Sequence, residues 1–251
     1  MNPRISVRWT IAYLLSFAIA VSYFDRNTLG VAVKAIQQHI PISDPQYSWL
    51  TSAFLIAYGL MYVGGGKLID ILGTRRGFLL IMVWWSLACA SQGLATSVAI
   101  FAVSRFLLGM GEGGGFPAAT KAIAEWFPVR ERSTAMGIVN AGTSVGAVLA
   151  PPLIALVLAS LTWRWMFFLS GAIGLLWTVW WLRAYFPPAS HPKLSAEERE
   201  VIAEGQPSKQ ETAISWIGLF RFPQVWGLVT AKFLSDAAWY FYLFWLPKYL
   251  Y

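Results

Sequence analysis

The run Ala102-Val103-Ser104-Arg105-Phe106-Leu107-Leu108-Gly109-Met110-Gly111-Glu112-Gly113-Gly114-Gly115-Phe116-Pro117 lies within an apolar stretch from about Val98 to Thr120. That stretch is long enough to cross a bilayer as one helix. Charged residues at such depth are costly, so they face a bundle interior or a water-filled cavity. Arg105 and Glu112 are seven residues apart, two helical turns, which places them on one face about 10 Å apart in height. One helix therefore offers a fixed cation and a titratable acid to the same cavity. The spacing predicts an all-α membrane bundle.

The remaining composition agrees. The chain is 57 % hydrophobic and 12 % charged, with fourteen Trp, a balance outside the range of soluble domains. Its net charge of +7 is spread between apolar spans rather than gathered in a stripe, which argues against nucleic acid. A single cysteine, Cys89, and two histidines in opposite-side loops, His39 and His191, leave no disulfide, metal site, cofactor motif or enzyme chemistry to propose. The first apolar run is too long for a signal peptide and is followed by six more.

The expected spans are about Trp9–Val33, Tyr47–Ile69, Gly77–Leu94, Val98–Thr120, Ser133–Ala159, Thr162–Tyr185 and 221–251. One side of the membrane receives Arg4, Arg8, Lys67, Arg75, Arg76, Lys121, Arg130, Arg132, Arg183, Lys193, Arg199, Lys209 and Arg221. The other receives Lys34, Arg164 and Lys248. This asymmetry predicts a cytoplasmic N-terminus and a cytoplasmic loop over 187–220. Within that loop Ser195-Ala196-Glu197-Glu198 has capping-box form and predicts a short surface helix. Three units follow: a six-helix bundle over 1–186, the interdomain loop over 187–220, and a seventh helix over 221–251.

Six ionisable residues fall inside spans: Asp25, Arg26, Arg105, Glu112, Lys232 and Asp236. Asp25 and Arg26 are about 100° apart around their helix, so one faces the cavity more squarely than the other. Lys232 and Asp236 are spaced to pair with each other, as a packing pair or as part of the cavity. Tyr23, Tyr58, Tyr62, Asn140, Thr143, Ser144, Trp239 and Tyr240 add groups suited to sugar hydroxyls, although aromatic residues singly serve packing as well. Two guanidiniums favour a carboxylate or phosphate through forked donors. Gly109-Met110-Gly111-Glu112-Gly113-Gly114 matches the dinucleotide pattern only literally, because no strand precedes it. Its glycines are read as close helix contacts, with Gly111 and Gly115 forming one pair and Gly142 and Gly146 another. Pro117, Pro151 and Pro152 are read as bends.

Gly66-Lys67-Leu68-Ile69-Asp70-Ile71-Leu72-Gly73-Thr74-Arg75-Arg76 resembles the loop between helices two and three of the major facilitator superfamily. Gly66, Asp70, Gly73, Arg75 and Arg76 match it, and Ile71 departs from its usual basic residue. Tyr23-Phe24-Asp25-Arg26-Asn27, Arg105-Phe106-Leu107-Leu108-Gly109 with Glu112, Glu125-Trp126-Phe127-Pro128 with Glu131-Arg132, Pro151-Pro152 and Lys232-Phe233-Leu234-Ser235-Asp236 resemble the anion–cation symporter branch, especially its hexuronate and aldonate transporters.

That resemblance implies an incomplete twelve-helix carrier: the N-terminal six-helix half with its seventh helix, awaiting a C-terminal half. It also implies proton-coupled uptake of a sugar-acid anion across the cell inner membrane, by alternating access. Arg26 would hold the carboxylate. Glu112 and Asp25 would carry protons, with Arg105 tuning Glu112, and the Asp70 loop would latch one conformation. An anion or phosphate-ester exchanger and a non-transporting receptor or assembly subunit are the competing expectations.

Overall fold

The computed structural model describes residues 6–204 and 216–250. Arg4, Lys209, Tyr251 and part of the predicted interdomain loop lie outside them. The order is α1 (Val7–Gln37), α2 (Asp44–Leu72), α3 (Thr74–Gln92), α4 (Val98–Glu112), α5 (Gly115–Trp126), α6 (Val129–Ser160) and α7 (Arg164–Ala184). A short 3-10 turn, α8 (Ala196–Ala203), α9 (Trp216–Leu219) and α10 (Pro223–Leu250) complete it. Among the described residues, α1, α2, α6 and α7 are long and apolar enough to cross a membrane by length and composition.

The fourth predicted span is not one helix. It breaks at Gly113 and Gly114, where the Gly114 N–H turns to the Gly111 carbonyl at 3.2 Å before α5 begins. Pro117 sits in the first turn of α5, where it has no intrahelical donor to lose, and so starts a helix rather than bending one. Pro151 and Pro152 lie inside α6, which continues through them.

The helices pack chiefly as α1 on α6, α2 on α4 and α3 on α7, with α3 also meeting α4, and α1 meeting α7 and α10. Small residues set how closely they approach. A side chain at Gly142 or Gly146 would strike the Ser16 and Ala20 carbonyls of α1, so that pair acts as expected. The other expected pair is only half right. Gly111 lies against Trp85 of α3, but no described residue would meet a side chain at Gly115, and Gly109 and Gly113 meet α2 instead.

Large apolar side chains cover the outside, among them Trp49, Leu156, Leu176 and Phe233. That is the surface a helical bundle presents to lipid. The inside holds a tryptophan stack on α7. Trp177 donates to the Leu14 carbonyl at 2.9 Å and Trp181 to the Arg75 carbonyl at 3.0 Å, with Phe78 against both rings.

The surface helix predicted in the long loop is α8. The Ser195 hydroxyl accepts from the Glu198 N–H as the capping pattern requires. The Glu198 carboxylate goes elsewhere: it accepts from the Val7 and Arg8 N–H groups at 3.2 and 3.0 Å. An acid from α8 therefore caps α1, whose own N-cap Ser6 makes no side-chain bond. Nearby, His191 stands edge-on to Trp126 and Phe186, and burial lowers its pKa.

Candidate functional site

α1 carries Asp25 and Arg26 side by side, and the helix sends them in different directions. Both are buried. Asp25 points to α3 and α7, where Trp85 Nε1 donates to it at 2.8 Å and the Ser170 hydroxyl also donates. Arg26 points to α4 and α2. Its Nε donates to Glu112 Oε2 at 2.8 Å, and the Ser22 hydroxyl donates to the same oxygen at 2.6 Å. The guanidinium is held between the Tyr23 and Tyr58 rings, at 4.6 and 4.5 Å from their centroids, with Phe54 at 5.5 Å.

Arg105 and Glu112 do share the buried side of α4, yet they make no ion pair. Glu112 is taken by Arg26 from another helix. Arg105 is fully buried, faces the Phe54 ring at 5.2 Å, and has no hydrogen-bond partner on any guanidinium nitrogen among the described residues. Glu112 Oε1 is also without one. Phe54 thus stands between two cations that contact it from different helices.

α10 closes one end of this space. The Tyr47 hydroxyl donates to the Phe244 carbonyl at 2.6 Å, and Lys248 pairs with Asp44 over the Tyr47 ring. Trp239 reaches the Tyr23 ring at 6.5 Å. Lys232 and Asp236 pair at 2.8 Å, as their spacing predicts. Tyr62 continues the ring column of α2 at 5.8 Å from Tyr58. Asn140 does not join the group: it is exposed and its amide donates to Met136 in its own helix.

The loop between α2 and α3 turns at Gly73, whose φ of 75° suits glycine. Asp70, the acid of this loop, pairs with Lys121 of α5. Arg75 donates to the Leu182 carbonyl at 2.7 Å and lies over the Phe186 ring at 3.8 Å. Arg76 is exposed, and no described residue would meet a side chain at Gly66. Arg132 donates to the Phe127 and Ala124 carbonyls at the end of α5, which gives the Glu125–Arg132 turn a structural role. Sequence reasoning missed Ser22, Phe54, Trp85, Lys121 and Ser170. Each is an ordinary residue type whose partner is distant in sequence.

Long apolar helices with charges gathered inside them define a multi-pass α-helical membrane protein. The chain belongs to the Major Facilitator Superfamily, which matches residues 15–251. It is 35 % identical to the galacturonate transporter of Dickeya chrysanthemi, over 98 % of this chain and 72 % of that one. It is 34 % identical to the hexuronate transporter of Escherichia coli (strain K12), over 98 % of this chain and 58 % of that protein. A solved bacterial homolog of the human lysosomal transporter Spinster, 23 % identical, shares the fold. It aligns with a TM-score of 0.64 over 78 % of this chain and 47 % of its own.

Proposed function

We propose that residues 1–251 belong to a secondary active transporter that takes up a sugar acid (hexuronate, aldarate or aldonate) by proton symport through alternating access. The similarity to transporters named for galacturonate and hexuronate supports the substrate class. The observation that carries the mechanism is the buried Arg26–Glu112 pair. A substrate carboxylate and Glu112 compete for one guanidinium. A proton arriving on Glu112 weakens its hold on Arg26, and the forked N–H groups of Arg26 then donate to the incoming carboxylate. Loss of that proton to the cytoplasm restores the internal pair and expels the substrate. Asp25 is the second proton site, and Tyr23, Tyr58, Trp239 and Arg105 complete the binding wall.

In this reading the protein sits in the cell inner membrane with its N-terminus cytoplasmic. Residues 1–186 form the first bundle, 187–220 the cytoplasmic loop, and 221–251 the seventh helix, which opens a C-terminal half facing the cavity. Gly66, Asp70, Gly73, Arg75 and Arg76 act as the latch, with Lys121 as the partner of Asp70. Lipid and protons are the other partners. An exchanger would need Arg26 but no titrating acid beside it, so the pairing favours symport.

The test is uptake of labelled galacturonate and glucuronate into vesicles by the full-length gene product. Uptake should rise when the outside is made acidic and collapse when the proton gradient is dissipated. Uptake indifferent to the gradient would leave the exchanger reading in its place.

A further inference from the structure

The pair Lys232–Asp236 has no part in the cycle above, yet its position is specific. Lys232, Asp236, Tyr240 and Phe244 recur every four residues along α10, so they form one slowly drifting stripe. The direction of its charged end is set by Trp239, seven residues beyond Lys232 and so within about 20° of it around the helix, whereas Phe244 at the far end has drifted about 120° from Lys232. Phe244 is buried and its carbonyl accepts from Tyr47 of α2, while Trp239 beside the stripe meets Tyr23 of α1. Asp236 and Lys232 continue the stripe about one and two turns before Tyr240, and Lys232 is about 12 Å from it along the axis. Both lie within electrostatic range of the Tyr62 phenol, and Lys232 of Tyr23 as well. Tyr23 lies against the Arg26 guanidinium, and Tyr62 lies beside Tyr58, which does the same.

The pair is open, with side chains 64 % and 36 % exposed. Charges this deep in a membrane helix face water or ligand rather than lipid. The Lys232 ammonium keeps two donors free beyond the bond to Asp236, and the carboxylate keeps further lone pairs. As a unit the pair is neutral. It supplies donors and acceptors without net charge, which suits adjacent hydroxyl groups. A second carboxylate there would meet Asp236 as a like charge.

From this geometry we infer that Lys232 and Asp236 bind the hydroxyl-bearing end of the substrate, opposite the carboxylate end at Arg26, and select monocarboxylate sugar acids over diacids. The inference rests on the sugar-acid reading and narrows it to hexuronates and aldonates. Asp236 sets the charge selectivity by neutralising Lys232. Without it, Lys232 becomes a free cation placed for a second carboxylate.

The test compares galacturonate and glucuronate with their diacids, galactarate and glucarate, as competitors of labelled galacturonate uptake by the full-length carrier. The wild type should favour the monoacids. Asp236→Asn should move the monoacid-to-diacid ratio toward the diacids by about tenfold, the scale of one charge-assisted hydrogen bond. Lys232→Gln, which leaves Asp236 unneutralised, should move the ratio the other way, and reads the same contact if Asp236→Asn fails to reach the membrane. A wild type that prefers diacids overturns the inference, as do variants that bind both classes with an unchanged ratio, and in both cases the sugar-acid reading stands. A wild type that binds none of the four acids overturns that reading and the inference together.

Discussion

Two ion pairs at membrane depth have the same N···O distance of 2.8 Å and opposite surroundings. Arg26–Glu112 has side chains 1 % and 0 % exposed, while Lys232–Asp236 has side chains 64 % and 36 % exposed. A buried pair cannot open into water. Separating it leaves two unpaired charges, so it opens only when a proton takes the place of Arg26 or a ligand carboxylate takes the place of Glu112. An open pair can exchange its partner for water or a hydroxyl at little cost. Burial, rather than the residue types, therefore separates a pair fit for coupling from one fit for recognition.

The largest test of this contrast is Glu112→Gln. It should abolish proton-driven accumulation while substrate exchange across vesicles persists, because reorientation no longer waits for a proton. Normal accumulation against a gradient would erase the distinction between the two pairs. Arg26→Lys comes next. It keeps the charge but loses the fork, so substrate affinity should fall about ten- to a hundredfold in a binding assay. Unchanged affinity would remove Arg26 from the site.

A third pair extends the comparison to the end of α2, where Asp70 meets Lys121 with side chains 69 % and 33 % exposed. Asp70→Asn should slow transport about two- to fivefold with substrate affinity unchanged, the range of a surface pair acting on a conformational equilibrium. A changed affinity with normal turnover would contradict the latch. The smallest effect belongs to the stability of Lys232→Gln. Its unfolding free energy should stay within about 0.5 kcal/mol of the parent, because the pair is open to solvent. A large fall in melting temperature would mean that the pair serves packing instead.

The sequence made the membrane class, the long helices and the identity of the buried charges legible. A bilayer penalises each charge inside an apolar run so heavily that its presence is informative without any neighbour. Spacing was a poorer guide to partners. Arg105 and Glu112 are correctly placed on one side of α4, but helical spacing cannot say what approaches from another helix. Arg26, eighty-six residues away, takes the acid. Glu198 shows the same limit in the loop, since its local pattern predicts a bond back to its own helix and the structure gives it to α1.

The glycine-rich run of α4 shows where the division falls. Its composition alone determined that helices come close there, because only residues without side chains allow such contact. Which glycines matter was settled by tertiary structure. Gly109 and Gly113 meet α2, Gly111 meets α3, and the buried Gly115 has room for a side chain among the described residues. A helix repeats its faces every few residues whatever it packs against, so sequence fixes the periodicity of a face. The neighbour that occupies that face depends on how every other helix is stacked, and so does whether a charge there ends up paired, as in Arg26, or without a hydrogen-bond partner among the described residues, as in Arg105.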